Sequence, residues 1–495
     1  MSTLKIVGLS ASLRGARHGS GLKQLTEQLK RLASSDELSS FLKDESNSIL
    51  ESYAAAGRLD GEDFSTIYRN LKKSKGFKGL SNSEVGIAAG LWGVLEEGLE
   101  IEYCNLSHYF PESGNDRHLE ELEEIVLSSD GLLLATPVYF GDRSSVAQAF
   151  IEFIYRSPRC LEHIKNKVFG GIAVGAKRNG GQETTLIYQL IDFVNLQMLG
   201  VGNDSQSTSQ YGGTIVAGDV GVAAGDQYGL DTSVDTGRRV AHLTKLLNAQ
   251  RLIKPRIDIV LVQDRSDEFG LSFLKKLTAE YKEQALFRVY NASKEKIHRC
   301  IACDICPTDI GGKSEYRCII KSQKDFFVRE HEDLVLPDAI LIAAFSPKDK
   351  TLIHSTYQKF IERTRYLRRD DYAIGDTLSA PLIISELDSN QNLHLRVITS
   401  MIRHHTAIHR PLILYSDKNQ LLNHESFATQ LKSFIASAGR FAASRSSAAE
   451  ELETRKEYNP LGYGISSAQK KSTARDRMLI KNERISVARR TNSDA

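Results

Sequence analysis

Four cysteines lie within one short stretch of the chain, and their spacing is typical of a metal site. The pattern is Cys300-x2-Cys303-x2-Cys306, followed by Cys318 after 11 intervening residues. Four thiolates in this arrangement can ligate a [4Fe–4S] cluster, and compact Cys-x2-Cys turns also form tetrahedral zinc sites. Because six cysteines among 495 residues are too few for a disulfide scaffold, clustered thiols favour metal or redox chemistry. The stretch predicts an iron–sulfur cluster, with structural zinc or free thiols as the alternatives.

A second set of polar residues, near the amino terminus, suits a phosphate group. The first apolar strand pattern runs into a loop with Ser10, Ser12 and Arg14. Hydroxyls, backbone N–H groups and an arginine at the end of a strand can bind phosphate. The run Ser81-Asn82-Ser83 opens a helix pattern that leads into the next strand, so we predict that it completes this loop. A helical insertion over residues 15–78 would separate the two parts, and His18-Gly19-Ser20-Gly21 is a rival completion.

Two further loops, after the third and fourth strand patterns, could surround a flat ring. In the first, Pro137 fixes a turn, Tyr139 offers an aromatic plane and Gly141 allows close approach of the backbone. In the second, Gly180 and Gly181 would let backbone amides approach a ligand at a helix start. A plain helix cap explains neither glycine. The candidates are Thr136, Pro137, Val138, Tyr139, Phe140 and Gly141 in the first loop, and Asn179, Gly180, Gly181, Gln182 and Glu183 in the second.

The elements that must position these loops follow a pattern that occurs twice along the chain. Short apolar runs alternate with amphipathic segments, which predicts parallel strands covered by helices on both faces. Such sheets bind ligands at the carboxyl ends of their strands. We predict an internal duplication with a first domain over residues 1–252, a second over 253–443 and a basic tail over 444–495. The predicted strands are 4–9, 99–103, 131–136, 168–174 and 214–217, then 257–262, 286–290, 339–344, 381–385 and 411–415.

The motifs of the first half resemble those of the NADPH-dependent FMN reductase and iron–sulfur flavoprotein family of flavodoxin-like proteins. The run Asn179–Thr185 matches the family's Asn-Gly-Gly-Gln-Glu-Thr-Thr loop residue for residue, and 136–141 matches its Thr-Pro-x-Tyr-x-Gly loop. The phosphate loop of the family is matched by Gly8, Ser10, Ser12, Arg14, Ser81, Asn82 and Ser83. The resemblance implies two flavodoxin-like three-layer α/β/α domains with five-stranded parallel sheets, the first carrying the insertion. It also implies that FMN binds through these loops.

The second half lacks these loops and carries the cysteines instead. Its first loop holds Asp264, Asp267 and Glu268, and like charge opposes phosphate binding. In the resembling iron–sulfur flavoproteins a compact cysteine motif follows the second strand, the place that Cys300–Cys318 occupies here. The gap before Cys318 is longer than is usual in the family. The resemblance therefore implies FMN in the first half and a [4Fe–4S] cluster in the second.

Composition supports an ordinary globular chain rather than one that binds nucleic acid or membranes. Lys and Arg number 64 against 62 Asp and Glu, and no apolar run approaches the roughly 20 residues of a bilayer span. No signal peptide is recognised, so we predict a cytoplasmic protein. The function predicted is electron transfer between FMN, the cluster and an NAD(P)H, other small-molecule or protein partner, in a possible homo-oligomer. The alternatives are a redox sensor that recruits partners, or a quinone or nitro-compound reductase with structural zinc.

Two other sets of residues are assigned no chemistry. Cys160 follows a predicted helix and is interpreted as a packing residue. His404, His405 and His409 fall on one predicted helix, where adjacent residues cannot share a face, so we expect surface side chains rather than a metal site.

Overall fold

A computed structural model describes most of the chain. The described residues are 4–14, 20–73, 78–203, 210–248, 252–303, 306, 316–346, 351–369, 372–387, 392–418 and 420–447. The predictions for Gly15, for the rival pair His18-Gly19 and for residues 448–495 of the tail lie outside them.

Thirteen strands in these ranges form one sheet. In the first half they are β1 (Lys5–Ser10), β2 (Glu100–Asn105), β3 (Gly131–Pro137), β4 (Val168–Gly175), β5 (Leu199–Val201) and β6 (Gly213–Val216). In the second half they are β7 (Arg256–Val262), β8 (Leu286–Asn291), β9 (Ala339–Ser346), β10 (Leu378–Glu386), β11 (Ala407–Ile408), β12 (Leu412–Asp417) and β13 (Gln420–Leu421).

Fifteen α-helices are assigned in the described parts of the chain. The first nine are α1 (Ser20–Leu29), α2 (Ser35–Ala55), α3 (Phe64–Lys73), α4 (Asn82–Glu96), α5 (Leu119–Leu127), α6 (Ser145–Arg156), α7 (Pro158–Ile164), α8 (Gln182–Asn195) and α9 (Gln227–Leu247). The other six are α10 (Phe269–Glu280), α11 (Phe326–Leu334), α12 (Thr351–Arg363), α13 (Arg365–Arg369), α14 (Leu393–Met401) and α15 (His424–Ser447). The helix α15 continues past residue 443, where the tail was predicted to begin.

The strand order repeats between the halves. The sheet runs β2-β1-β3-β4-β5-β11-β10-β9-β7-β8, with β6 beside the end of β4 and β12 beside the end of β10. Each half therefore reads 2-1-3-4-5 in its own numbering, and all of these pairs are parallel within a half. This is the doubly wound order of flavodoxin-like sheets. The repeated order supports the internal duplication, which stays a prediction.

The two expected sheets are joined into one. The short strands β5 and β11 pair antiparallel, with Gly200 opposite Ile408. The carboxyl ends of the first-half strands and those of the second-half strands consequently point in opposite directions.

Helices cover both faces of the sheet, which gives three layers. One hydrophobic cluster runs under α4, α9, α10 and α15 along both halves, and two others fill the opposite face, one in each half. Close packing of α4 depends on small residues: a Cβ at Gly8 of β1 would lie 2.7 Å from Leu91 Cγ. Strands buried on both sides explain the continuous apolar runs of the sequence.

The predicted insertion is helical. Helices α1, α2 and α3 lie between β1 and α4, and α4 leads into β2 as expected. The insertion has a small core of its own, to which the loop before α9 contributes Val220. The residues of that core are Ile49, Tyr53, Ala56, Ile67, Leu71 and Val220.

Among the described residues, no helix has both the length and the apolar character needed to cross a bilayer.

Candidate functional site

The amino end of α4 is held rigidly beside the ends of β1 and β2. The Ser81 side chain accepts a hydrogen bond from the Glu84 N–H (3.4 Å), and the Glu84 carboxylate accepts one from the Ser81 N–H (2.8 Å). This is a capping box, which satisfies two of the backbone donors that a helix start leaves free. Glu84 is fully buried and also accepts a hydrogen bond from the Tyr103 hydroxyl on β2 (2.6 Å). Burial, and then the Glu84 charge, raise the pKa of Tyr103, so its proton stays in place.

The predicted phosphate-binding residues gather around this helix start. Ser10 is fully buried, and its hydroxyl has no partner of normal geometry in the described chain, although the Tyr103 hydroxyl lies beside it. Ser12 is nearly buried and accepts a hydrogen bond from the Arg14 N–H (3.2 Å), while the Arg14 side chain is exposed. Remaining N–H groups of the α4 start and the helix dipole favour an anion here.

Asn82 has a different role in the same place. Its side chain donates to the Asp219 carbonyl (2.8 Å) and accepts from the Ala223 N–H (3.3 Å). The amide therefore ties α4 to the glycine-rich loop before α9, and Ser83 beside it is buried.

The loops after β3 and β4 meet through two glycines. Gly181 has φ +100°, and a Cβ at this residue would lie 2.8 Å from the Gly141 Cα and 3.1 Å from Val138 Cγ1. Gly141 itself has φ +81°, and Phe140 before it has φ +54°. Tyr139 and Asp142 close the first turn by exchanging backbone hydrogen bonds of 2.7 and 2.9 Å. The two loops can approach this closely only because Gly181 lacks a side chain, whereas a Cβ at Gly141 would meet no atom within 4 Å.

Gln182 fixes the second of these loops from inside. Its side chain is buried, accepts a hydrogen bond from the Gly180 N–H (2.8 Å) and donates to the carbonyls of Lys177 (2.8 Å) and Ile215 (3.2 Å). Asn179 adopts φ +61° at the exposed tip, and Glu183 is exposed in the first turn of α8. The sequence motif is thus a loop held by one buried amide.

A cleft of about 280 Å³ opens where the loop after β1 faces the loop after β3. Tyr139 and Phe140 stand exposed at its edge, with Phe140 fully accessible. The residues that line the cleft are Ala11, Leu13, Pro137, Tyr139, Arg143, Ser144, Ser145 and Val146. An apolar cleft with a few polar groups at one end is typical of a cofactor site.

Two residues of this cleft were missed in the sequence analysis. Ser144 caps α6, its hydroxyl donates to the Ala11 carbonyl (2.7 Å), and its N–H donates to the Thr136 hydroxyl (3.0 Å). Ser144 therefore locks the loop after β1 to the loop after β3. Arg143 is nearly buried and forms ion pairs with Asp142 and Asp192. For Ser144 the available sequence signal was a serine just before an apolar helix pattern. No sequence signal pointed to Arg143.

The four predicted metal-binding cysteines are half-buried. The Cys300 N–H donates to the Glu362 carboxylate at the end of α12 (3.0 Å). Cys306 and Cys318 pack against the hydrophobic cluster of the second half. Within the described residues, which omit 304–305 and 307–315, no three cysteine, histidine or acidic side chains converge as a metal site. The ligand set stays a prediction.

A buried ion pair lies next to this segment. Asp325, at the start of α11, is fully buried and accepts hydrogen bonds from the His298 N–H (2.9 Å) and the Arg363 guanidinium (3.0 Å). The His298 ring also pairs with Asp325 at 2.7 Å, so this ring is oriented by a carboxylate. Arg363 has a side chain that is 1% exposed. Neither Asp325 nor Arg363 was identified from the sequence.

The first loop of the second half closes on itself. The Asp264 carboxylate accepts hydrogen bonds from the Ser266 N–H (2.9 Å) and hydroxyl (2.5 Å), and these bonds lower its pKa. Arg265 donates to the Ser293 carbonyl (3.0 Å). An ionised carboxylate thus lies where the first half has its predicted phosphate-binding serines. The predicted loss of the flavin site is consistent with this, although residues 347–350 and 388–391 lie outside the described chain.

The prediction for the histidines was wrong. Helix α14 ends at Met401, and His404, His405 and His409 are all buried, at 4%, 8% and 3% exposure. Desolvation lowers the pKa of His404 to about 3 and that of His409 to about 4. The His404 and His409 rings are therefore neutral at physiological pH, and all three histidines pack at the join between the halves. Cys160 is fully buried, which confirms its packing role.

Comparison with known proteins agrees with the motifs of the first half. Residues 87–212 match the family described as NADPH-dependent FMN reductase. An iron-sulfur flavoprotein of Methanocaldococcus jannaschii is 34% identical over 179 residues, which span 34% of this chain and 92% of that protein. An iron-sulfur flavoprotein of Methanosarcina thermophila is 29% identical over 137 residues, covering 28% of this chain and 67% of the relative.

Among solved structures, a WrbA-like flavodoxin from Agrobacterium tumefaciens aligns with 49% of this chain and 98% of its own, at 14% identity and a TM-score of 0.27. The sequence relatives carry the assignment, since a third of the residues are identical across almost the whole of one of them. The chain belongs to the NADPH-dependent FMN reductase and iron–sulfur flavoprotein family.

Proposed function

We propose that the first half binds FMN and exchanges electrons between this flavin and a [4Fe–4S] cluster on Cys300, Cys303, Cys306 and Cys318. As a member of its family, the chain is an FMN-dependent oxidoreductase. NAD(P)H or a redox protein would supply or accept the electrons. The observation that carries the proposal is the interlocking of three loops at the carboxyl ends of β1, β3 and β4, where a doubly wound sheet binds its ligand.

The residues of these loops fit FMN in two parts. At the α4 end, the buried Ser10 hydroxyl beside Tyr103, the Ser12 hydroxyl and the exposed Arg14 offer donors and positive charge to a phosphate. At the other end, the contact between Gly141 and Gly181 leaves backbone accessible to a planar ring, with Tyr139 at its edge. Both parts belong to one continuous edge of the sheet, as a nucleotide that carries a phosphate and a ring requires.

The chemistry belongs to the cofactors, and the chain's residues bind and orient them. FMN accepts two electrons and can release them singly, and an iron–sulfur cluster carries one, so the pair converts hydride donation into single-electron steps. Backbone N–H groups at the start of α8 would stabilise negative charge on the nearby edge of the ring.

The position of the cysteines supports transfer towards the first half. The Cys300 backbone N–H donates to the Glu362 carboxylate at the end of α12. Thr364, just after that helix, lies with Asp258 and Ile340 near the amino ends of β7 and β9. The cysteine segment, which follows β8, thus runs from the carboxyl ends of the second-half strands back to their amino ends. Because the halves are antiparallel across β5 and β11, the carboxyl edge of the first half projects in that same direction. If one chain leaves the two sites too far apart, a second copy would bring a cluster to each flavin.

The test is chemical analysis of the full chain purified without oxygen, followed by reduction. We expect about one FMN, with iron and sulfide in equal amounts, and bleaching of the flavin's visible band by NADPH, NADH or a reduced redox protein. The Cys318→Ser variant should lose iron and keep FMN. A chain with FMN and zinc would instead be a flavin reductase with a structural metal. A chain whose flavin stays oxidised with every donor would overturn the electron-transfer proposal and favour a sensor.

A further inference from the structure

We propose that Arg363 donates N–H hydrogen bonds to sulfur of the cluster held by the four cysteines and thereby raises the reduction potential of that cluster. This inference rests on the proposed function, since it assumes a cluster at Cys300–Cys318. It concerns a residue outside the cysteine motif, at the end of α12.

The first observation is that the Arg363 guanidinium is buried with donors unused. One nitrogen, Nη2, donates to the Tyr316 hydroxyl (2.8 Å) and to Asp325 (3.0 Å). The other two nitrogens, Nε and Nη1, are buried and have no partner among the described residues. A charged donor that is buried without an acceptor is unfavourable. The buried and unused N–H groups of Arg363 therefore indicate an acceptor outside the described residues.

The second observation is that Arg363 adjoins the cysteine segment at several points. Its chain neighbour Glu362 holds the Cys300 N–H at 3.0 Å. Its partner Tyr316 packs with Cys306 and Cys318 against the same hydrophobic cluster. The Cys318 side chain also interacts with the Tyr316 hydroxyl, adding to the rise that burial causes in the pKa of that tyrosine. Arg363 thus adjoins the cysteine segment through Glu362, which holds Cys300, and through Tyr316, which interacts with Cys318.

The third observation concerns charge. Four thiolates with a [4Fe–4S] core carry net negative charge in a half-buried place, which needs a nearby cation or donors. Arg363 supplies both, while Asp325 keeps its position through an ion pair and the Phe327 ring lies 5.3 Å from its Cζ. Hydrogen bonds to cluster sulfur favour the reduced, more negative state, and this raises the potential. The fork of an arginine suits two sulfur acceptors, whereas lysine offers a single point charge.

The experiment is an anaerobic redox titration of the full chain, followed by electron paramagnetic resonance of the reduced cluster. We expect Arg363→Met to make cluster reduction at least tenfold less favourable, which is a fall of 59 mV for a one-electron couple. Arg363→Lys, which keeps the charge and the Asp325 partner, should lie between it and the native chain. Arg288→Met is the matched control, because it removes a cation of the same half that pairs with Glu330 and Asp333 instead. Its midpoint should be unchanged.

A second measurement is made on the native chain, which avoids the risk that a variant misfolds, and uses a variant only to assign the signal. In native protein produced with ¹⁵N-guanidino arginine, pulsed electron paramagnetic resonance should detect ¹⁵N coupled to the reduced cluster. Arg363→Lys should abolish that signal. A native cluster without the ¹⁵N coupling, or a Lys variant with the native midpoint, overturns the role of Arg363 and leaves the cluster standing. Native protein that holds zinc, or no metal, overturns the proposed function and this inference together.

Discussion

Replacing Gly181 by alanine tests the meeting of the two ring-binding loops. The residue has φ +100°, and its added Cβ would lie 2.8 Å from the Gly141 Cα. The left-handed backbone alone costs an alanine about 1–2 kcal/mol. The contact falls on backbone rather than on a flexible side-chain end, so the loops must move apart. If that strain is relieved by opening the cleft, the FMN dissociation constant should rise about tenfold or more, since 1.4 kcal/mol corresponds to a factor of ten.

The matched control is Gly98→Ala, between α4 and β2. Gly98 has φ +78°, and its Cβ would have no atom within 4 Å. It therefore carries the same kind of backbone strain without touching the flavin loops. Both variants should lower the free energy of unfolding, Gly181→Ala by at least as much as Gly98→Ala, while only Gly181→Ala should weaken FMN binding.

The assay is titration of flavin-free protein with FMN, followed by quenching of flavin fluorescence, beside a urea unfolding curve for each variant. If Gly181→Ala is destabilised like Gly98→Ala and yet binds FMN as tightly as the native chain, the two loops do not shape the flavin site. The assignment of the cleft would then have to be abandoned.

Three further outcomes are expected. Ser81→Ala removes a helix cap and should lower the free energy of unfolding by about 1 kcal/mol, measured by urea denaturation; an unchanged midpoint would show that the cap adds nothing. Desolvation opposes ionisation of Asp376, but the charges of Arg239 and His242 hold its pKa well below the usual value. The contribution of ionised Asp376 to the free energy of unfolding is therefore complete above the ordinary pKa of an aspartate, about 3.9, and is lost as the pH falls below that value. Asp376→Asn should be less stable than the native chain at neutral pH and should lose less stability on acidification. Unfolding curves at several pH values measure both effects. An equal loss in both proteins would contradict this. Finally, Cys318→Ser should bind less iron than the native chain, whereas Cys160→Ser should bind the same amount; equal iron in all three would remove Cys318 from the ligands.

The inter-half contacts explain why Asp376 is informative. Arg239 of α9 is buried, pairs with Asp376 and donates to the His405 carbonyl of the second half. His242 of the same helix reaches Asp376 at 3.2 Å. A helix of the first half is therefore fastened to the loop that precedes β10.

Local patterns in the sequence were sufficient for much of the fold. Apolar runs marked the strands, because parallel strands buried on both faces have few polar positions. Glycines and turn residues marked the loops after β3 and β4, because a positive φ or a close backbone approach selects glycine at Gly141 and Gly181. The helical insertion could also be predicted, since its apolar residues recur at helical spacing.

Tertiary structure alone decided how distant parts meet. The antiparallel pairing of β5 with β11 involves two very short strands, which leave no clear periodic signal. The histidines at the join were expected on the surface because adjacent residues of a helix cannot share a face, yet packing between the halves buries them. Arg363 looked like any charged residue on a helix, and only the approach of Asp325 and Tyr316 from distant positions shows that it is buried with unused donors. Sequence determines local conformation through short-range sterics and burial pattern, whereas these contacts depend on long-range packing that no single segment encodes.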